Sequence, residues 1–223
     1  MYRHELKYTV SDAAARIIAM RLEKLCRFDS HADEGGRYRV TSLYFDDYCN
    51  SAVQDNLSGQ LSRKKFRIRM YNGDGGFIRL ERKVKHAGGC RKDSVLLTRE
   101  ECARIQAGET AFLQTSGSPV ARDFATTAKL RLLKPRVVVD YSREAYVYEP
   151  GSVRITFDRD VRASVGGADL LDAEAVFAPA SEGVILEVKY TGFLPGPIAA
   201  LLQQGCTLRQ SASKYTMCRM CAW

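Results

Sequence analysis

Five separated segments of the chain alternate a charged or polar side chain with an apolar one, and this period of two restricts the fold more than any other feature of the sequence. In a strand, residues i and i+2 point to the same face. In "RKKFRIRMY" (63–71), Lys65, Arg67, Arg69 and Tyr71 therefore share one face, and Phe66, Ile68 and Met70 the other. Arg79, Glu81, Lys83 and Lys85 lie opposite Ile78, Leu80 and Val84. Arg154, Thr156 and Asp158 lie opposite Val153, Ile155 and Phe157, and Glu187 and Lys189 opposite Leu186, Val188 and Tyr190. Glu5 and Lys7 share a face near the amino terminus.

Residue composition and turn signals extend this to eight expected strands: 3–9, 38–48, 63–72, 77–86, 90–97, 135–148, 152–161 and 183–192. "NGDGG" (72–76) reads as a hairpin loop, and Pro150-Gly151 as a turn. Ser11 caps an expected helix to about residue 27, with Ala14, Ile17, Ile18, Leu22 and Leu25 on its apolar stripe. Thr98 and Glu101 form a capping box for a short helix, and Ser118-Pro119 opens another that reaches about residue 132. Two more helices are expected over 195–204 and 213–221, and the polar link after 48 has helical character to residue 57. The class is strand-dominated α+β, and the 223 residues are expected to form one domain, 1–223.

The charged faces have two possible settings. Antiparallel sheets commonly bury one face and solvate the other, which leaves the cations in water. The amphipathic helices, however, must bury their apolar stripes. If they cover the apolar strand faces from outside, the charged faces line the lumen of a barrel. Such a lumen would be wet and suited to a polyanion, since an unpaired buried charge costs several kcal/mol. Arginine suits phosphate oxygens because its planar fork donates bidentately and stays charged. Glutamates among the cations suggest magnesium or manganese, which carboxylate and phosphate oxygens bind together.

The formal net charge of +8 also favours an anionic partner. Nucleic acid fits less well, because the cations repeat on strand faces among glutamates instead of alternating with aromatics on an open surface. No stretch has the length of a signal-peptide core or a membrane span, which points to the cytoplasm. The seven cysteines are odd in number and scattered, so reduced thiols are expected. Cys218-x-x-Cys221 has no partner motif for zinc, the three histidines are isolated, and no P-loop sequence is present. Asp46 and Asp47 point oppositely on a strand and are expected to serve a turn or helix cap.

"YRHELKY", "YRVTSLYFD", "RKKFRIRMY", "IRLERKVK", "PRVVVDYSREAYVY", "VRITFD", "VILEVKY" and "SASKYTMCR" occur in an order that resembles the VTC domain. This is the polyphosphate polymerase domain of the triphosphate tunnel metalloenzyme superfamily, and the resemblance runs from residue 2 to about 219. It implies an antiparallel eight-stranded β-barrel around a basic tunnel, with helices packed outside. It also implies transfer of the terminal phosphoryl group of ATP to inorganic polyphosphate, with Mn2+ or Mg2+ as cofactor.

Carried over by motif, the resemblance makes Lys7, Arg67, Arg69, Lys83, Lys92, Arg143, Arg154 and Lys214 phosphate-binding residues. Arg67, Arg69 and Lys214 are the catalytic candidates, Glu187 the metal ligand, and Lys189 and Arg39 further candidates. Glu5 and Glu81 either complete the metal shell or hold arginines in place. The expected partners are ATP and inorganic polyphosphate or triphosphate. A triphosphatase using the same tunnel, or a non-catalytic polyphosphate-binding protein, is the alternative. The sequence carries no attached phosphate-sensing domain or membrane segment, so export of product is not expected to follow from it.

Overall fold

The structure, a computed structural model, describes residues 3–29, 32, 35–86, 89–205 and 213–221. All eight expected strands form. In chain order the elements are β1 (Arg3–Val10), α1 (Asp12–Leu22), β2 (Arg27–Phe28), β3 (Arg37–Asp46), α2 (Ser51–Leu57), β4 (Arg63–Tyr71), β5 (Ile78–His86) and β6 (Gly89–Leu97). They continue with α3 (Arg99–Gln106), α4 (Pro119–Arg131), β7 (Lys134–Tyr148), β8 (Val153–Ser164), β9 (Phe177–Pro179), β10 (Val184–Thr191), α5 (Gly196–Gly205) and α6 (Lys214–Cys221). Among the described residues no helix is long and apolar enough to cross a membrane.

Hydrogen bonds join the strands in the order β1-β10-β8-β7-β3-β4-β5-β6, with β2 added on β7 and β9 on β8. The expected closed eight-stranded barrel is therefore corrected to an open ten-stranded sheet. β1 and β6 each have one partner along this order. β6 exposes Cys90, Arg91, Lys92, Ser94 and Leu96, and a charged edge of this kind resists further pairing.

The described residues group into two compact units, one from within 1–39, 141–161 and 181–212, the other from within 40–140, 162–180 and 213–223. In the first unit, β10 lies antiparallel between β1 and β8, which sets Lys7 opposite Glu187 and Glu5 opposite Lys189. The apolar face of these strands, with Val153, Ile155, Phe157, Leu186 and Val188, is buried together with Ile18 and Leu22 of α1 and Ile198 of α5. Ile18 and Leu22 are 2% and 1% exposed, and burial of such side chains contributes roughly 1.5–3 kcal/mol each. α1 stops at Leu22 instead of residue 27, as the amides of Leu25 and Cys26 turn back on the Leu22 carbonyl. Its buried stripe is Ala15, Ile18, Ala19 and Leu22, whereas Ile17 and Leu25, expected on that stripe, are exposed.

In the second unit, β3, β4, β5 and β6 pair antiparallel in sequence order. The β4–β5 connection turns at Asn72 and Gly73, with φ of 52° and 70°, and Asp74 N–H donates to the Tyr71 carbonyl at 2.8 Å. Two successive positive φ angles define the hairpin turn that favours Asn-Gly. Phe66 and Ile68 are buried under α4, whose Phe124 meets the rings of Phe45 and Phe66 edge-on at 5.0 and 5.2 Å. Thr98 and Glu101 form the expected capping box of α3. Asp46 and Asp47 take the expected capping role, accepting from the amides of Ala52 and Ser51 at the start of α2. α1 and α5 in the first unit and α4 in the second cover apolar strand faces, while Lys7 and Glu187 in the first and Arg67, Arg69 and Glu81 in the second stand on the other face.

Candidate active site

In the second unit the alternation of β4 and its register bring cations around one carboxylate. Arg67 stands opposite Glu81 on β5 and Tyr44 on β3, while Arg69 stands opposite Ser42. Arg67 Nε donates to Glu81 Oε2 at 2.6 Å and Nη1 to the Tyr44 hydroxyl at 2.9 Å. Lys92 pairs with the other oxygen of Glu81. Arg69, 5% exposed, donates from Nε to Ser42 Oγ at 2.9 Å. Burial alone would raise the Glu81 carboxyl, but Arg67, Arg69 and Lys92 outweigh it and hold the group ionised far below the usual carboxylate range. Glu81 thus holds Arg67 in place.

Tyr44 connects this cluster to α6. Its ring stacks on Tyr215 at 4.8 Å, and the Tyr215 hydroxyl donates to buried Asp46 at 2.7 Å. Burial raises the Tyr44 phenol, yet Arg67, Arg69 and Lys214 bring it down to about 8. Lys214, the first residue of α6, therefore acts on the same cluster as the arginines. Lys83 sits in register between Lys65 and Lys92. Lys65 lies 5.2 Å over the Tyr215 ring, and burial lowers its ammonium to about 8.

The two shifts act in one direction. As pH rises through about 8, Lys65 loses a positive charge and Tyr44 gains a negative one, so anion affinity in this unit falls. Affinity for a polyanionic probe such as tripolyphosphate, measured across pH 7–10, is expected to decline in this window. Lys65→Arg, which keeps its charge, is expected to retain more affinity above pH 8. An unchanged profile in that variant would exclude Lys65 from the effect.

In the first unit, Lys7 Nζ contacts Glu5 Oε1 at 3.0 Å and Glu187 Oε2 at 3.4 Å, and Lys189 pairs with the other Glu187 oxygen. Burial would lower the Lys7 ammonium, but Glu187 and Glu5 reverse this and raise it. For Lys189 burial prevails and lowers it to about 8. Arg143 grips Asp158 through Nε and Nη2 at 2.6 and 2.8 Å, with both side chains buried. Arg154 donates to Asp29 and to the Tyr38 hydroxyl, each at 2.8 Å. Arg39 is exposed on β3.

The expected site residues thus form two groups: Arg67, Arg69, Lys83, Lys92 and Lys214 in the second unit, and Lys7, Arg143, Arg154, Glu187 and Lys189 in the first. Ser42, Tyr44, Tyr38 and Asp29 were not among them. The alternation in "TSLYFD" does place Ser42 and Tyr44 on one strand face, but Asp29 lies just past the end of β2, where no periodicity marks it.

Among the described residues no group of three or more His, Cys, Asp or Glu side chains could hold a metal ion. Glu5 and Glu187 nevertheless converge on one ammonium, that of Lys7. Two carboxylates meeting at a cationic position fit magnesium or manganese, which use one or two carboxylates and take further oxygens from water and phosphate.

In each unit, arginines and lysines of the antiparallel strands are thus paired with carboxylates. The chain belongs to the VTC domain family, which matches residues 2–222 and is of the triphosphate-tunnel kind. No curated protein matches its sequence. Among solved structures it is similar to the PH1819 protein of Pyrococcus horikoshii OT3, with 17% identity, a TM-score of 0.51 and 97% of each chain covered. It is also similar to a protein of Bacillus halodurans solved as a candidate adenylate cyclase, with 17% identity, a TM-score of 0.52, and 92% and 89% of the two chains covered. At this identity these similarities concern the fold.

Proposed function

We propose that this protein is an ATP-dependent polyphosphate polymerase, acting as a single domain in the cytoplasm. The observation that carries this reading is the pair of half-buried Arg67 and buried Arg69, oriented by Glu81, Tyr44 and Ser42 within a VTC domain chain. Phosphoryl transfer requires positioning and charge neutralisation more than a covalent nucleophile, and fixed guanidinium groups supply both. An oxygen at the end of the acceptor chain bonds to the γ-phosphorus of ATP as the bond from that phosphorus to the β–γ bridging oxygen breaks, and ADP leaves. The acceptor oxygen is already anionic at neutral pH and needs no strong general base.

Lys83, Lys92 and Lys214 add to the charge on the same unit as Arg67 and Arg69, and Lys7, Arg143 and Arg154 offer phosphate-binding cations in the first unit. Glu187 with Glu5 would hold the divalent cation, which when bound would neutralise phosphate oxygens. Glu187→Gln is expected to raise the metal concentration for half-maximal activity by about tenfold or more. An unaltered metal titration would remove Glu187 from that role.

The test of the reaction itself is to incubate the protein with ATP and manganese or magnesium, resolving products on a gel while measuring free phosphate. Lengthening chains together with ADP support the polymerase. Release of orthophosphate without chains would make the protein a triphosphatase, and no turnover would leave a polyphosphate-binding protein.

A further inference from the structure

We infer a second oxyanion site in the first unit, on the helix-covered side of the sheet, that takes a single phosphate group. The alternation of β8 places Arg159 with Phe157, opposite Arg154, Thr156 and Asp158, and its guanidinium lies 5.9 Å from the Phe157 ring. There it enters a cavity of about 230 Å³ beside the first turns of α1, lined also by Asp12, Arg16, Arg37, Asp160 and Ser181. Arg159 Nη1 donates to Asp12 at 2.9 Å. Two buried polar atoms of the cavity residues, Arg159 Nε and Ser181 Oγ, have no hydrogen-bond partner among the described residues. The carboxylate oxygen Glu144 Oε2 lies 3.9 Å from that Nε and 3.4 Å from Arg37 Nε.

Buried donors without acceptors are costly, and a bound acceptor relieves that cost. The two aspartates of the wall and the nearby Glu144 carboxylate balance the three arginines in charge, so an anion is favoured by the guanidinium N–H groups that these carboxylates leave unfilled, Arg159 Nε among them. Arginine forks with a serine hydroxyl are suited to tetrahedral phosphate oxygens. The volume falls below the roughly 300–1,000 Å³ of drug-sized ligand pockets, so the occupant is phosphate-sized and not a nucleotide. It is either free orthophosphate or the end group of a longer phosphate chain.

The test is calorimetric titration of potassium phosphate and of sodium tripolyphosphate into the wild type, Arg69→Ala, Arg16→Ala and Arg159→Gln. Arg16 is exposed on α1, so its replacement leaves the core intact and guards against a folding failure of Arg159→Gln. Orthophosphate binding is expected to survive Arg69→Ala and to weaken at least about tenfold in Arg16→Ala and Arg159→Gln. If tripolyphosphate shows the larger loss in those two variants, the site serves chain ends; if orthophosphate does, it serves free phosphate. Binding abolished by Arg69→Ala but unchanged by Arg16→Ala and Arg159→Gln would overturn the site, as would no phosphate binding to the wild type.

Discussion

Replacing Arg69 with alanine is expected to lower turnover about 10²–10³-fold, the usual loss when one fixed donor to a developing charge is removed. The fold should survive, because Arg69 lies on the charged face of β4, away from the core of Phe66 and Ile68, where it meets the Ser42 hydroxyl and the Tyr71 ring. Steady-state kinetics beside a thermal melt check both parts. Because Arg69 also helps hold Glu81 ionised, a modest rise in the Glu81 pKa is expected to accompany the change. Turnover within about twofold of wild type would remove Arg69 from the site.

The largest expected effect on stability is at Asp158. It is wholly buried, and both its oxygens accept from Arg143, itself 8% exposed. Asp158→Ala leaves that guanidinium buried without its counter-charge, at a cost of about 3–5 kcal/mol. For a chain of this length that corresponds to a fall in Tm of roughly 6–20 °C. The double replacement Arg143→Met with Asp158→Leu should recover most of the stability, since removing a buried pair together costs far less than removing one member. Chemical denaturation of the three proteins measures this. A single variant as stable as wild type would show that the pair is not the counter-charge arrangement described.

Much of the fold was legible because the strand period is local. The charged faces of β4, β5, β8 and β10 could be assigned residue by residue from i, i+2 spacing alone, and the helix starts at Thr98 and at Ser118-Pro119 follow from neighbouring residues. Which strands pair is a long-range matter, and no local signal reports it. The closed barrel was therefore expected where the hydrogen-bonded order ends at β1 and β6. The end of α1 was misjudged for a related reason: Leu25 continues the apolar spacing but lies in the turn that closes the helix, where the chain exposes it.

The site was legible to a similar depth. Arg67, Arg69 and Glu187 stand on the faces that alternation gave them. The role of Glu81 depends on its register partner, which a single sequence does not reveal, and only the pairing of β4 with β5 shows it holding Arg67. The Arg159 cavity draws on residues from four separate stretches of sequence, none of which carries a motif.

The central claim, that the cationic strand faces bind a phosphate chain, is tested most directly by a crystal structure of the protein with tripolyphosphate. The account predicts phosphate oxygens within about 3 Å of the guanidinium groups of both Arg67 and Arg69. A chain bound away from these residues, with neither arginine touching phosphate, would contradict it.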